Sequence, residues 1–214
     1  MNYDLIIFDC DGVLVNSEPI ANKILRDALS ENGLEMTIDQ VVQKYVGRSM
    51  SNVVSISEKL LCKKLPHNFL KVLQAETFAA FKKNLKAIDK VESVIMELKR
   101  QDIKICVASS GSFDKINYTL GLTGLRNYFG EHIFNSSQVT RGKPYPDIYI
   151  YAADQMEVEP AKCLVIEDSL PGVQGAVAAG MEVIAYSVYG EDESLRKAGG
   201  LVFDQMDEII KHIL

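Results

Sequence analysis

The sequence predicts an α/β fold in which a doubly wound, Rossmann-like and mostly parallel sheet carries an inserted helical domain. The first observation is a series of short apolar runs such as Leu5–Phe8, each typical of a strand buried on both faces of a parallel sheet. The second is that segments with helical spacing separate these runs. The third is the stretch from Ser17 to about Leu85, which has helical spacing throughout. The alternation of strand-like runs with helical segments indicates the doubly wound sheet, and the stretch of purely helical spacing indicates a domain inserted after the first strand.

The individual elements follow from local patterns. Further apolar runs lie at residues 103–108, 133–134, 164–166, 183–185 and 201–203. Apolar side chains at Val91, Val94 and Leu98 mark one face of a helix after the insertion. Inside the insertion, Thr37 and Gln40 have the spacing of a capping box and predict a helix start. We therefore expect a Rossmann-like core formed by residues 1–15 and 86–214, and a helical domain formed by residues 16–85.

Composition and charge exclude several classes of protein. The 214 residues include 23 lysines and arginines against 29 aspartates and glutamates, for a net charge of −6. Without a basic tract, nucleic-acid binding is not expected, because it needs clustered cations. No signal-peptide pattern begins the chain, and no apolar stretch predicts a membrane span. The four cysteines are far apart and form no CxxC pair, which predicts reduced thiols and a cytoplasmic location. No obligate protein partner is evident.

Polar residues follow the apolar runs at the points where strands should end. In an open parallel sheet the ligand lies beyond the carboxyl ends of the strands, so these residues are candidates for a site. They are Asp9 and Asp11 after the first run, Ser109 and Ser110 after the second, Glu167 and Asp168 after the fourth, and Lys143 at the entry to a later helix.

Taken singly, these groups have ordinary explanations. Asp9 and Asp11 could be turn aspartates, Ser109 and Ser110 could cap a helix, and Lys143 could be a surface lysine. A calcium loop starting at Asp9 is excluded, because apolar side chains occupy the positions where a ligand and a glycine are needed. Taken together, the carboxylates suit Mg²⁺, while hydroxyls, amides and a lysine suit a phosphoryl group. The combination predicts Mg²⁺-assisted phosphoryl transfer.

Four segments resemble the motifs of the haloacid dehalogenase-like phosphohydrolases, in the branch with a helical cap that includes β-phosphoglucomutase and sugar-phosphate phosphatases. The resemblance extends over nearly the whole chain, and the segments follow the family's order. One departure is Asn16, where many members have aspartate. The matching segments are residues 8–14, 108–110, 142–146 and 165–169.

The resemblance implies a role for each candidate residue. Asp9 would attack phosphorus and become an aspartyl phosphate, and Asp11 would be the general acid and base. Asp9 would then be kept ionised by the metal and Asp11 pushed toward neutrality. Mg²⁺ would be held by Asp9, the carbonyl of Asp11, Glu167 and Asp168. The transferring phosphoryl group would be held by Ser109, Ser110 and Lys143, with Ser109 and Lys143 also counted as catalytic.

The resemblance implies that residues 1–15 and 86–214 form the catalytic core and that the inserted helical domain, residues 16–85, is the family's cap domain. The family places substrate choice in the cap and the adjoining linker. The corresponding candidates here are Glu18, Asn22, Gly47, Arg48 and Ser49. The expected partner is a small phosphorylated metabolite, a sugar or sugar-acid phosphate, which the enzyme would hydrolyse.

Three alternatives to a phosphatase remain open. A β-phosphoglucomutase-type mutase would need a histidine, a lysine and an arginine where this chain aligns Ala21, Val46 and Met50. A dehalogenase would lack the second aspartate, which is present as Asp11. A non-catalytic binding protein on the same fold would usually have lost the nucleophile or a metal carboxylate, and neither is missing.

Overall fold

The chain divides into two compact units in the computed structural model. One unit comprises Met1–Asn16 and Lys86–Leu214, and the other comprises Ser17–Leu85. Asn16, which the sequence pattern assigns to the insertion, belongs to the first unit, where its N–H donates to the carbonyl of Lys86 at 3.0 Å. The structure describes residues 3–46, 48–187 and 192–214.

The first unit is built on a parallel sheet with the strand order β3-β2-β1-β4-β5-β6. The predicted doubly wound α/β class is therefore confirmed. In the described part of the chain the strands are β1 (Leu5–Phe8), β2 (Lys104–Ser109), β3 (Ile133–Asn135), β4 (Cys163–Glu167), β5 (Glu182–Tyr186) and β6 (Leu201–Phe203).

Helices cover both faces of this sheet, because alternate side chains of each buried strand point to opposite faces. On one face, Leu5 and Ile7 pack with Tyr149 and Val173, which belong to two of these helices. On the other, Phe8 makes an edge-on ring contact with the helical residue Phe129, with centroids 6.1 Å apart. The helices of this unit are α5 (Val91–Arg100), α6 (Phe113–Leu122), α7 (Arg126–Phe129), α8 (Asp147–Gln155), α9 (Leu170–Ala178), α10 (Glu193–Lys197) and α11 (Met206–Ile213), with 3₁₀ turns at Ser136–Gln138 and Pro160–Lys162.

The register of the strands positions the candidate site. Phe8, the last residue of β1, pairs with Val107 of β2 and Ile166 of β4. The residues that follow these three positions, among them Asp9 and Glu167, therefore lie at one edge of the sheet.

The second unit is helical, with its own apolar core. The predicted capping box is confirmed, because the Thr37 hydroxyl accepts from the N–H of Gln40 and the Gln40 side chain accepts from the N–H of Thr37. Leu25, Leu29 and Val41 belong to the core. Among the described residues, no helix combines the length and apolar character needed to cross a membrane. The helices of this unit are α1 (Glu18–Glu31), α2 (Ile38–Tyr45), α3 (Met50–Leu61) and α4 (Phe69–Asn84).

Candidate active site

The turn after β1 presents the first two candidate carboxylates. Asp9 is buried, and its N–H still donates to the carbonyl of Ile166 at 2.9 Å, so the ladder of β1 and β4 extends one residue past the strand. Gly12 then reverses the chain with φ of +78°, a conformation that favours glycine. A Cβ at this position would lie 1.9 Å from Oδ2 of Asp168. The glycine therefore lets the Asp168 carboxylate approach the turn closely.

Lys143 joins Asp9 to Glu167. Its Nζ donates to Oδ1 of Asp9 and to Oε1 of Glu167, both at 2.5 Å. The three side chains are at most 9% exposed, so the charges interact in a shielded environment where pairing is strong and an unpaired charge is costly. Burial alone would lower the pKa of Lys143, but Asp9 and Glu167 outweigh it and raise that pKa well above its usual value. Lys143 is a buried cation and not a surface lysine.

Both carboxylate oxygens of Glu167 are engaged within the protein. Oε1 accepts from Lys143 and from the Tyr149 hydroxyl at 3.1 Å. Oε2 accepts from the N–H groups of Asp168 and Ser169, each at 2.7 Å, and from the Ser169 hydroxyl at 2.9 Å. Burial raises the pKa of Glu167, but the opposing effect of Lys143 and the Ser169 donors is larger. The pKa of Glu167 is therefore below its usual value of 4.5. In this arrangement Glu167 anchors Lys143 and the start of α9, and its role as a metal ligand stays a prediction.

Asp9 has the opposite pKa shift. Burial raises its pKa most strongly, and the negative charges of Glu167 and Asp11 raise it further, while Lys143 opposes them. The result is a pKa of about 7 for Asp9 in the protein without a cation. A bound cation would favour the charged form of this carboxylate.

The end of β2 presents a serine on a turn that a neighbouring strand supports. Ser109 is buried, and its hydroxyl accepts from the N–H of Gly111 at 3.1 Å. Asn135, at the end of β3, donates to the carbonyl of Gly111 at 3.0 Å, and the Ser136 hydroxyl donates to the carbonyl of Ser110 at 3.2 Å. Ser109 thus lies at the same sheet edge as Asp9, next to the start of α6, where backbone N–H groups and the helix dipole favour anions.

Asp11 is paired with a cation that the sequence did not single out. Lys115 Nζ donates to Asp11 Oδ2 at 2.7 Å. The expected role of Asp11 as general acid and base stays a prediction.

Sequence reasoning missed three residues of this region: Lys115, Tyr149 and Asn135. A signal existed for Lys115, because it falls in the first turn of α6, where the helix dipole disfavours a cation. Asn135 is a polar residue directly after an apolar run, a position that elsewhere marked the candidates. No sequence pattern distinguishes Tyr149 from an ordinary core aromatic.

The acidic residues at this end of the sheet fit a cation held by few carboxylates. Among the described residues, no three histidine, cysteine or acidic side chains are arranged to hold a metal ion. Asp168 nevertheless reaches the Asp9–Gly12 turn, as the contact with Gly12 shows. Asp9 and Asp168 supply two oxygen donors there, and Mg²⁺ is commonly held by one or two carboxylates together with water and substrate phosphate.

The cap candidates lie in the second unit. Glu18 and Asn22 belong to α1, and Ser49 caps α3 by accepting from the N–H of Asn52 at 3.3 Å. Arg48 donates through Nε to the carbonyl of Lys44 at 2.8 Å. The fifth candidate, Gly47, lies outside the described residues.

Comparison with known proteins identifies the family. The model of haloacid dehalogenase-like hydrolases matches residues 3–180. A 6-phosphogluconate phosphatase of Escherichia coli is 27% identical over 86% of this chain and 82% of its own length. A phosphorylated carbohydrates phosphatase of Thermotoga maritima is 30% identical over 97% and 96% of the two chains.

A solved structure agrees with these sequence matches. It is a haloacid dehalogenase family hydrolase of Deinococcus radiodurans with bound phosphate and sodium, which is 30% identical and superposes with a TM-score of 0.83 over 97% of this chain and 93% of the other. The chain thus belongs to the haloacid dehalogenase-like hydrolase family.

Proposed function

We propose that the protein is a Mg²⁺-dependent phosphatase that hydrolyses a small phosphorylated metabolite, a sugar or sugar-acid phosphate, through an aspartyl phosphate on Asp9. The observation that carries the proposal is the contact of Asp9 with the buried Lys143. This contact lies at the edge of the sheet where β2 ends with the buried Ser109. A carboxylate nucleophile beside a fixed cation and a hydroxyl is suited to attack on phosphorus.

The chain's own groups divide the work of binding and attack. The Asp9 oxygen that does not contact Lys143 would attack phosphorus. Lys143 would hold a phosphoryl oxygen and compensate for its charge, and it is already fixed by Glu167 and Tyr149. Ser109 and Ser110 would bind other phosphoryl oxygens at the start of α6.

The proposed cation site uses the Asp9, Glu167 and Asp168 carboxylates and the backbone carbonyl of Asp11. When bound, Mg²⁺ would neutralise phosphate charge that the carboxylates otherwise repel. Glu167 would also support this site by anchoring Lys143.

Asp11 would exchange protons with the reacting oxygens. As an acid it would give its proton to the leaving oxygen while the bond from phosphorus to that oxygen breaks. As a base it would take a proton from the water that then attacks the aspartyl phosphate. Its place two residues after Asp9, on the tight turn at Gly12, keeps it close to the nucleophile.

The relatives support the substrate class. Two phosphatases that match most of this chain carry the names of 6-phosphogluconate and of phosphorylated carbohydrates. We therefore propose that the substrate is a phosphorylated sugar or sugar acid, with Glu18, Asn22, Arg48, Ser49 and Gly47 contributing to its selection. A cytoplasmic location stays a prediction.

The test is phosphate release from a panel of sugar and sugar-acid phosphates, assayed with Mg²⁺ and with a chelator. We expect Mg²⁺-dependent release from at least one member, and loss of that release in Asp9→Asn. Phosphorus NMR of a hexose phosphate reaction separates hydrolysis from isomerisation. An isomer accumulating faster than free phosphate would replace the phosphatase with a mutase, and no turnover of any member would refute the proposal.

A further inference from the structure

We propose that Lys115 is a positioning residue for Asp11, which it holds toward the Ser109 turn, and that it compensates for the charge left on Asp11 when the proton passes to the leaving oxygen. The inference rests on the proposed function of Asp11. It assigns a second cation to the site, with a task different from that of Lys143.

The pair is well placed for this task. Lys115 Nζ lies 2.7 Å from Asp11 Oδ2, and the two side chains are 31% and 23% exposed. The pair is therefore partly shielded from water, and its electrostatic attraction is stronger than that of a fully exposed ion pair. Each carboxylate of the β1 turn has a lysine of its own: Asp9 contacts Lys143, and Asp11 contacts Lys115.

The local structure holds Lys115 in place. The Ser112 hydroxyl caps α6 by accepting from the N–H of Lys115 at 3.3 Å. Lys115 therefore occupies the first helical turn, where the dipole alone would favour an anion. Its contact with Asp11 offsets this cost, so the pair gives a reason for a lysine at that position.

The Asp11 carboxylate lies beside the turn that follows Ser109. A Cβ added to Gly111 would lie 3.8 Å from Asp11 Oδ2 and 3.5 Å from Ser109 Oγ. Both oxygens therefore flank the same glycine. A carboxyl group at this place can reach an oxygen bound next to a phosphoryl group that Ser109 holds.

Proton transfer changes the charge on Asp11 during the reaction. As Asp9 forms its bond to phosphorus, the bond to the leaving oxygen breaks, and that oxygen takes the proton of Asp11. Asp11 gains a negative charge in this step, and the ammonium of Lys115 stabilises it. In the second half of the reaction Asp11 begins as the carboxylate, which Lys115 keeps oriented toward the water.

The test is a double-mutant cycle on an alkyl phosphate, whose leaving oxygen needs a proton. We expect Lys115→Met to lower kcat roughly tenfold with KM nearly unchanged, as for contacting charges that couple by about 1.4 kcal/mol. Lys115→Arg should recover part of the loss. In the Asp11→Asn background, Lys115→Met should cause no further loss. The matched control is Lys162→Met, which removes an exposed ion pair with Asp4 at the other end of β1 and should leave kcat unchanged.

A readout without turnover separates this inference from the proposed function. In urea unfolding of the metal-free protein, the losses from Lys115→Met and Asp11→Asn should be less than additive, because each removes the same pair. Additive losses, or a Lys115→Met effect on kcat that persists in Asp11→Asn, would overturn the role of Lys115. A rise in KM with kcat unchanged would make Lys115 a substrate contact and also overturn it. Failure of every phosphate ester to turn over, with the unfolding coupling intact, would refute the function and not the pair.

Discussion

Replacing Glu167 by glutamine should destabilise the protein strongly, although the two side chains have nearly the same shape. Glu167 is fully buried and accepts five hydrogen bonds, two at Oε1 and three at Oε2. The glutamine oxygen would best occupy the Oε2 position, because two of the three donors there are backbone N–H groups. Its NH₂ group would then face the ammonium of Lys143, which cannot accept a hydrogen bond.

The magnitude follows from that mismatch. A hydrogen bond to a charged group contributes about 1.5–3 kcal/mol, and a buried donor left without a partner costs about 1–3 kcal/mol. Breaking a buried ion pair by removing one partner typically costs about 3–5 kcal/mol. We expect Glu167→Gln to lower the free energy of unfolding by about 3–5 kcal/mol, which is a shift of roughly 1–2 M in the urea midpoint.

The assay is urea unfolding of the metal-free protein at pH 7.5. The matched control is Glu193→Gln, because Glu193 forms an exposed ion pair with Lys197, and such pairs contribute little. The pKa of Glu167 is lowered in the folded protein from its usual 4.5. Its contribution is therefore complete above pH 4.5 and is lost as the pH falls through the folded pKa. Equal midpoints for Glu167→Gln and Glu193→Gln at pH 7.5 would refute the reasoning.

Three further results are expected. Because the pKa of Asp9 is raised to about 7 in the metal-free protein, Mg²⁺ must displace a proton below that pH. The affinity of the protein for Mg²⁺, measured by calorimetry, should fall as the pH drops from 7 to 5.5, and binding should release a proton to the buffer. Equal Mg²⁺ affinities at pH 7 and pH 5.5 would contradict this. Asp9→Asn should keep the circular dichroism spectrum and lose Mg²⁺-dependent phosphate release, and a wild-type rate would count against a nucleophilic Asp9. Asp11→Asn should lower kcat for an alkyl phosphate by about 10²- to 10⁴-fold, and for an aryl phosphate by less where cleavage limits the rate; an equal loss would argue against proton donation.

The fold class could be predicted because the local signals agree with the tertiary structure. Leu5–Phe8 is an unbroken apolar run, and it forms a central strand with neighbours on both sides. Since parallel strands end at one edge of the sheet, the polar residues after each run could be assigned to one region. The predicted insertion begins one residue earlier than the observed one. The N–H of Asn16 donates to the carbonyl of Lys86 where the chain returns to the first unit, and the spacing of neighbouring residues cannot reveal such a bond.

The partners within the site could not be predicted from spacing. Lys115 and Asp11 are 104 positions apart, and Tyr149 and Glu167 are 18 apart. Their contacts depend on how α6 and α8 pack on the sheet. The sequence identified Glu167 as a carboxylate at the right edge, but a residue type does not tell which of its oxygens are already satisfied. That information lies in the N–H groups at the start of α9 and in Lys143.

The central claim is that Asp9 carries the phosphoryl group. The most direct measurement uses the Asp11→Asn variant, in which the second half of the reaction should be slowed, mixed with an aryl phosphate and Mg²⁺ and quenched with acid. Borohydride reduction and peptide mass spectrometry then locate the acyl phosphate. We predict a reduced, formerly phosphorylated side chain at Asp9 and at no other residue. Turnover without modification of Asp9, or modification of a different carboxylate, would contradict the account.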